Sequence, residues 1–378
     1  MSVTEIVPGL EGVPIAASAI SRVDGQNSLL EYRGLNIETL AEHSTFEETN
    51  FLLLYGKLPT RRELDDFIRD GARHRRLKYR VIDLLKCLPE HGHPMEALQA
   101  AVPAIGMFYP ERYHPGTEQK RLSCLRLIEK LPVVVASFHR LRTGDDNLIP
   151  RPDLNIAGNF LYMLRGEEPD PVRTRILDVC LILHAEHTMN ASTFAGRVVA
   201  STLAHPYCVV SSALGALSGP LHGGANEQVL TMLERIGSPA NARAEIRRMV
   251  EAKEKIMGFG HRVYKTIDPR AKILKKYAEQ LCRRSGSRFY DIAVAVEEAA
   301  SEVLSDRGIC PNVDFYSGLV YAELGIPRDC FTSVFAMARV TGWLAHWIEQ
   351  LEDNRIFRPT QKYVGRSGES YVPIERRG

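Results

Sequence analysis

Punctuation constrains this chain more than any other feature. Proline and glycine break it repeatedly into segments of helical length, and period-two alternation is scarce. Residues 46–56 carry an apolar run toward their end and close on Gly56, and Pro59-Thr60 then introduces a second helix through Phe67 and Ile68. Similar breaks fall at Pro110, Pro115-Gly116, Gly144-Asp145-Asp146, Pro150 and Pro169-Asp170-Pro171, leaving helical segments such as 119–141 and 172–188. Asp268-Pro269 has the form of an N-cap followed by proline at the first helical position, opening a helix through Lys272 and Tyr277. Phe331, Val334, Phe335 and Ala338 recur at i, i+3, i+4 and i+7, an apolar stripe with Arg339 beside it. Strand signals are confined to residues 13–17 and 28–32, with the turn residues Asp24-Gly25 between them. The pattern predicts an all-α protein with a small N-terminal β-ribbon.

Composition narrows the function classes. At 378 residues, 44% apolar and 25% charged, the chain is an ordinary globular one with ample core. A net charge of +2 argues against a dedicated nucleic-acid binder, and basic clusters such as Arg283-Arg284 read as solvated helix faces. Seven widely spaced cysteines with no Cys-x-x-Cys pair fit reduced thiols better than a disulfide framework. The N-terminus lacks the basic-then-apolar build of a signal peptide. The uncharged run 198–226 carries His205, Pro206, His222 and Asn226, so it predicts a buried helix and a loop rather than a membrane span. The expected location is cytoplasmic, with no membrane or nucleic-acid partner.

Three loops carry the chemistry: Gly-Pro-Leu-His222-Gly-Gly-Ala-Asn, Gly-Phe-Gly-His261-Arg-Val-Tyr-Lys and Pro-Asn-Val-Asp314-Phe-Tyr-Ser-Gly. Each sets one titratable side chain among turn residues at the break between two helical patterns. A neutral His222 could donate a hydrogen bond to a developing oxyanion, against the plainer reading of a histidine in an inter-helix turn. His261 repeats the arrangement just after Gly258 and Gly260, with Arg262 and Lys265 close by as cations that favour its neutral form. Asp314 reads in two ways. It is either an acidic residue complementing a helix dipole, or a general base whose apolar neighbours raise its pKa.

Arginines add to the pattern. Arg270, Arg339 and Arg358 could together hold a dicarboxylate through their planar forks, although an interhelix ion pair is the usual fate of each. His184-Ala-Glu186-His187 matches neither zinc-binding His-Glu arrangement, so no metal is expected. His91-Gly92-His93-Pro94 reads as a polar turn.

Taken in order, these segments resemble the citrate synthase family, and the match runs through nearly the whole chain. It includes Val23-Asp24-Gly25, Tyr32-Arg33-Gly34, residues 53–60, residues 186–193, the three loops and residues 342–346. The resemblance implies a two-domain helical fold in which a small domain, 223–325, closes over a large one, 1–222 and 326–378. It implies condensation of acetyl-CoA with oxaloacetate and hydrolysis of the thioester, without a cofactor. By motif, Asp314 is the base, His222 the partner of the thioester oxygen and His261 the partner of the oxaloacetate carbonyl. His187, Arg270 and Arg339 match residues that hold oxaloacetate, and Arg358 one donated across a homodimer. Lys265 and Arg307 match cations near the CoA phosphates, and Phe335 an aromatic lining the acetyl site.

Ala338 and Gly196 depart from the family's wording without removing a catalytic group. The nearest alternative is 2-methylcitrate synthase, which takes propionyl-CoA; Gly318, after Asp314-Phe-Tyr-Ser, favours the acetyl enzyme. A non-catalytic helical scaffold and a zinc hydrolase using His184, Glu186 and His187 are the readings from other classes.

Overall fold

Thr60 shows how literally the punctuation is used. Its hydroxyl accepts from Glu63 N–H while the Glu63 carboxylate accepts from Thr60 N–H, a reciprocal cap that starts a helix one residue later. The computed structural model describes residues 6–113, 116–261, 263–264, 266–304 and 309–378. Among these, sixteen α-helices follow a small sheet. The first eight are α1 (Ile37–His43), α2 (Phe46–Tyr55), α3 (Arg61–His74), α4 (Tyr79–Lys86), α5 (Pro94–Met107), α6 (Thr117–Arg142), α7 (Ile156–Arg165) and α8 (Pro171–His184). The rest are α9 (Ala191–Ser201), α10 (Pro206–Leu217), α11 (Ala225–Ile236), α12 (Pro239–Glu251), α13 (Pro269–Ser285), α14 (Phe289–Leu304), α15 (Val313–Glu323) and α16 (Phe331–Glu352). The expected all-α class holds, and so do the predicted starts at Thr60 and Asp268-Pro269. His93, expected in a plain turn, is instead the N-cap of α5, paired reciprocally with Glu96.

Three expectations need correcting. The first strand is not at 13–17, which is irregular and mostly exposed; pairing begins at β1 (Ser21–Asp24), against β2 (Leu29–Tyr32) and then β3 (Leu35–Asn36), all antiparallel. The turn fixes this register: the Asp24 carboxylate accepts from Gln26 and Asn27 N–H, so the residues just before it are the ones that pair. The helix expected over 172–188 stops at His184, because the backbone turns left-handed at Thr188 and Asn190 caps the next helix. Finally, residues 331–347 of α16 are all buried, not only the stripe. Helices α2, α5, α6, α8, α9, α10 and α11 surround α16, so an apolar periodicity understates a helix covered on every side.

Helices α11 to α15 pack mainly on one another, α12 against α14 and α13 and α11 against α15. The segment 198–226 is α10 with the end of α9 and a turn, as expected, and no described helix is long and apolar enough to cross a membrane.

Candidate active site

His222 sits in the turn between α10 and α11, held by hydrogen bonds from its own N–H to Gly219 O (2.9 Å) and from Gly223 N–H to Leu217 O (3.0 Å). Its Nε2 accepts from Ser192 N–H (3.3 Å) and lies 2.9 Å from Ser192 Oγ, at the first turn of α9. Trp343 on α16 donates its indole N–H to the same hydroxyl (3.1 Å). A ring nitrogen that accepts from a backbone N–H carries no proton, so the His222 N–H is on Nδ1. Burial, and Arg339 after it, push this imidazole down to about 4, leaving it neutral near pH 7.

The His261 and Asp314 loops are joined to each other. Gly260 N–H donates to Cys310 O, Asn312 N–H to Gly258 O and Asn312 Nδ2 to Gly260 O, each at 2.9 Å. Gly258 has φ +79°, and a Cβ there would lie 2.8 Å from Phe315, so only glycine lets the two loops close up. His261 Nδ1 accepts from Val263 N–H (3.0 Å) and Tyr264 N–H (3.3 Å), which puts its proton on Nε2. Burial, then Arg270, push His261 down to about 4. Burial and Arg270 supply its neutrality among the described residues; Arg262 and Lys265, from which neutrality was expected, lie outside them.

Asp314 stands at the first turn of α15, but capping is done by Asn312, whose Oδ1 accepts Asp314 N–H (3.0 Å). A carboxylate stabilised by the helix N-terminus would be lowered, whereas this one is raised, which goes against the dipole-complementing reading. Its Oδ1 is buried with no hydrogen-bond partner, and burial lifts the group to about 7 against the pull of Arg270. That is the environment of a base working near neutrality.

The groups expected to bind substrate are buried and polarised. Arg270 is paired with Asp268 through two bonds, Nε to Oδ1 (3.0 Å) and Nη2 to Oδ2 (2.7 Å), with both residues almost fully buried. Arg339 gives its Nε–H to His184 O (2.7 Å) and lies 4.8 Å over the Phe335 ring. His187 Nε2 is 3.2 Å from Tyr264 Oη and its ring 5.0 Å from that of His261. Burial, Arg270, His261 and Arg339 hold His187 well below the usual histidine range. Phe335 touches the rings of His184 (4.9 Å) and His222 (6.4 Å).

The structure thus gathers His187, His222, His261, Arg270, Asp314, Phe335 and Arg339 by contact or electrostatic reach. Arg358 stands apart, exposed after α16 and engaged by no hydrogen bond or ion pair among the described residues. The segment before it is anchored: Phe357 N–H donates to Ser201 Oγ (3.1 Å) and Asn354 Nδ2 to Ser201 O (3.0 Å), at the end of α9. Lys265 and Arg307 lie outside the described residues.

Gly318 has a packing reason, since a Cβ there would lie 2.7 Å from Asn226 O on α11; it carries less about the acyl group than expected. His184, Glu186 and His187 do not converge, being turned to Cys180 O, to His346 with Ser21, and to Tyr264 respectively. Sequence reasoning missed Ser192, Asp268 as the partner of Arg270, and Tyr264. Only the Asp-Pro-Arg spacing carried a signal, because an N-cap aspartate lies within reach of an arginine two residues on.

Comparison with known proteins gives one answer. Residues 9–360 match the family described as "Citrate synthase, C-terminal domain". A citrate synthase from Synechocystis sp. is 55% identical over 370 residues, covering 98% of this chain and 93% of the relative. One from Acidithiobacillus ferridurans is 51% identical over the full length of both. Among solved structures, citrate synthase from Pyrobaculum aerophilum superposes with a TM-score of 0.94 at 43% identity, covering 98% of this chain and 95% of that one. The ternary complex of carboxymethyl coenzyme A and oxaloacetate with citrate synthase from Thermoplasma acidophilum superposes with a TM-score of 0.94 at 34% identity, covering 99% and 100%. An all-α fold, a buried cluster of neutral histidines, arginines and one unpaired carboxyl, and full-length identity of this order place the chain in the citrate synthase family.

Proposed function

We propose that this chain condenses acetyl-CoA with oxaloacetate and water to give citrate and CoA. One observation carries the reading: an unpaired carboxyl lifted to about 7 shares a site with two neutral imidazoles, each left one N–H to donate. A thioester α-proton is weakly acidic, so a carboxylate removes it only if the enolate oxygen is stabilised at the same moment. Asp314 takes that proton while His222 Nδ1–H bonds the thioester oxygen. The enol carbon then attacks the oxaloacetate carbonyl, and His261 Nε2–H protonates the oxygen as the carbon–carbon bond forms. Water cleaves the resulting thioester and frees CoA. His187, Arg270 and Arg339 hold the dicarboxylate; Phe335 lines the acetyl site, and Lys265 and Arg307 meet the CoA phosphates. No cofactor enters the scheme.

In this reading residues 223–325 form a small domain that closes over residues 1–222 and 326–378. Contacts across that division support it. The Ser28 and Thr266 hydroxyls are 2.7 Å apart, Tyr264 meets His187, and a Cβ at Gly25 would collide with Val263 O. Closure completes the site and excludes water before condensation. Arg358 reaches the site of a second copy, so the working unit is a homodimer. Seven free thiols favour the cytoplasm.

The test is CoA release measured with oxaloacetate and either acetyl-CoA or propionyl-CoA. A higher kcat/KM for acetyl-CoA supports the proposal, a propionyl preference makes the chain a 2-methylcitrate synthase, and no oxaloacetate-dependent release with either defeats both.

A further inference from the structure

The buried charges beneath Arg339 form a chain that the proposed reaction does not use. Glu186 is fully buried, and its Oε1 accepts from Ser21 Oγ (3.0 Å) and His346 Nε2 (3.1 Å). Behind His346, Arg197 Nη1 donates to Nδ1 (3.0 Å). A guanidinium has donors only, so Nδ1 is the accepting nitrogen and the proton lies on Nε2, directed at Glu186. Arg197 is fixed in turn by Glu349 Oε2 (2.6 Å) and Gln350 Oε1 (3.0 Å), and Glu349 Oε2 also lies 3.9 Å from His346 Nδ1. The relay therefore has one direction, from Arg197 through His346 to Glu186.

At its inner end Glu186 Oε2 is buried without a partner and packs against Gly342, one turn of α16 from Arg339. Burial opposes its ionisation, but His346, Arg339 and Ser21 together hold the carboxyl below its usual range. Conversely, burial pulls the Arg339 guanidinium down to about 10, and Glu186 is the foremost attraction opposing this. Arg339 Nε is engaged by His184 O, two residues before Glu186, so the guanidinium and the internal carboxylate are anchored to the same short stretch of chain without a bond between them.

We propose that Glu186 is a positioning residue, a built-in counter-charge that offsets the buried Arg339 while the oxaloacetate subsite is empty and competes with the dianion once it enters. Arg197 and His346 hold that carboxylate in place. The inference rests on the assignment of Arg339 to oxaloacetate in the proposed function.

Glu186→Gln keeps the shape and the bond from His346 but removes the charge. Calorimetric titration should show oxaloacetate and citrate binding about tenfold more tightly. The KM for oxaloacetate should fall, that for acetyl-CoA should stay, and kcat should fall as product leaves more slowly. Glu186→Asp, which retains the charge, should restore weaker binding. A residue that merely supports the fold would give the opposite sign, so unchanged or weaker oxaloacetate binding by the folded variant overturns the proposal. Should that variant not fold, Arg197→Gln tests the support: with His346 Nδ1 no longer held, Glu186 loses its fixed position and oxaloacetate should bind more tightly than to the parent at the same pH; unchanged or weaker binding refutes the relay. A parent protein that binds no oxaloacetate counts against the proposed function, whereas tight parental binding that Glu186→Gln fails to strengthen counts against the counter-charge alone.

Discussion

Asp314→Asn should inactivate the protein and stabilise it at the same time. The carboxyl is lifted from 3.8 to about 7, chiefly by burial. Ionising it inside the fold is therefore unfavourable by at most about 4 kcal/mol. The side chain is half-buried rather than sealed, so water screens part of this and about 1–3 kcal/mol is the realistic figure. The sign follows from proton linkage. The folded state holds this proton more tightly than the unfolded chain does, so no stability is lost below about pH 4. The loss grows as pH rises and is complete above about pH 7. Asparagine removes the penalty. At fixed protein concentration the variant should melt roughly 2–5 °C above the parent at pH 8 and should lose that advantage toward pH 4. CoA release should fall by about a hundredfold to ten-thousandfold, the usual worth of a general base. The measurements are melting curves from pH 4 to 8 and a thiol-release assay on the same preparations. A variant that melts no higher than its parent, or whose advantage does not vary with pH, would refute the claim that Asp314 is strained by burial.

Three other outcomes follow from the site. Because His222 and His261 already sit near 4, the acid limb of kcat/KM should have unit slope and a midpoint near 7, set by Asp314 alone; a midpoint near 4 contradicts the assignment. Asp268→Asn leaves the buried Arg270 uncompensated, so stability should drop by about 3–5 kcal/mol in denaturant titration, with part recovered in saturating oxaloacetate. Mixing inactive Asp314→Asn with inactive Arg358→Gln should restore about a quarter of the sites by random pairing of subunits, while a mixture that stays inactive removes Arg358 from the partner's site.

What was legible in the sequence was local. Thr60 with Glu63, Asp268 with Pro269 and Gly56 each act within one turn of chain, so spacing alone reveals them. The three loops were readable for the same reason, since glycine and proline mark where a titratable group can meet a ligand. Two readings of Asp314 stood open until Asn312 was seen to do the capping. What stayed hidden depends on contacts between distant segments. Ser192 meets His222 from 30 residues away, and Trp343 reaches the same hydroxyl from α16. The all-round burial of α16 comes from seven other helices, none of which its own periodicity can encode. The first strand was misplaced because the Asp24 turn, not the apolar run before it, sets where pairing begins.

Helix α9 touches three things at three heights. Ser192 at its start fixes His222, Arg197 in its middle fixes His346, and Ser201 at its end anchors Asn354 and Phe357 just before Arg358. Eleven residues of helix make a rod about 16 Å long that does not stretch. If Arg358 serves the neighbouring subunit, this rod is a common datum for two reaction centres, and a small slide along its axis misaligns both. Natural variation on its inner face is then judged twice, once by each centre, and a substitution there cannot improve one subunit's geometry in private.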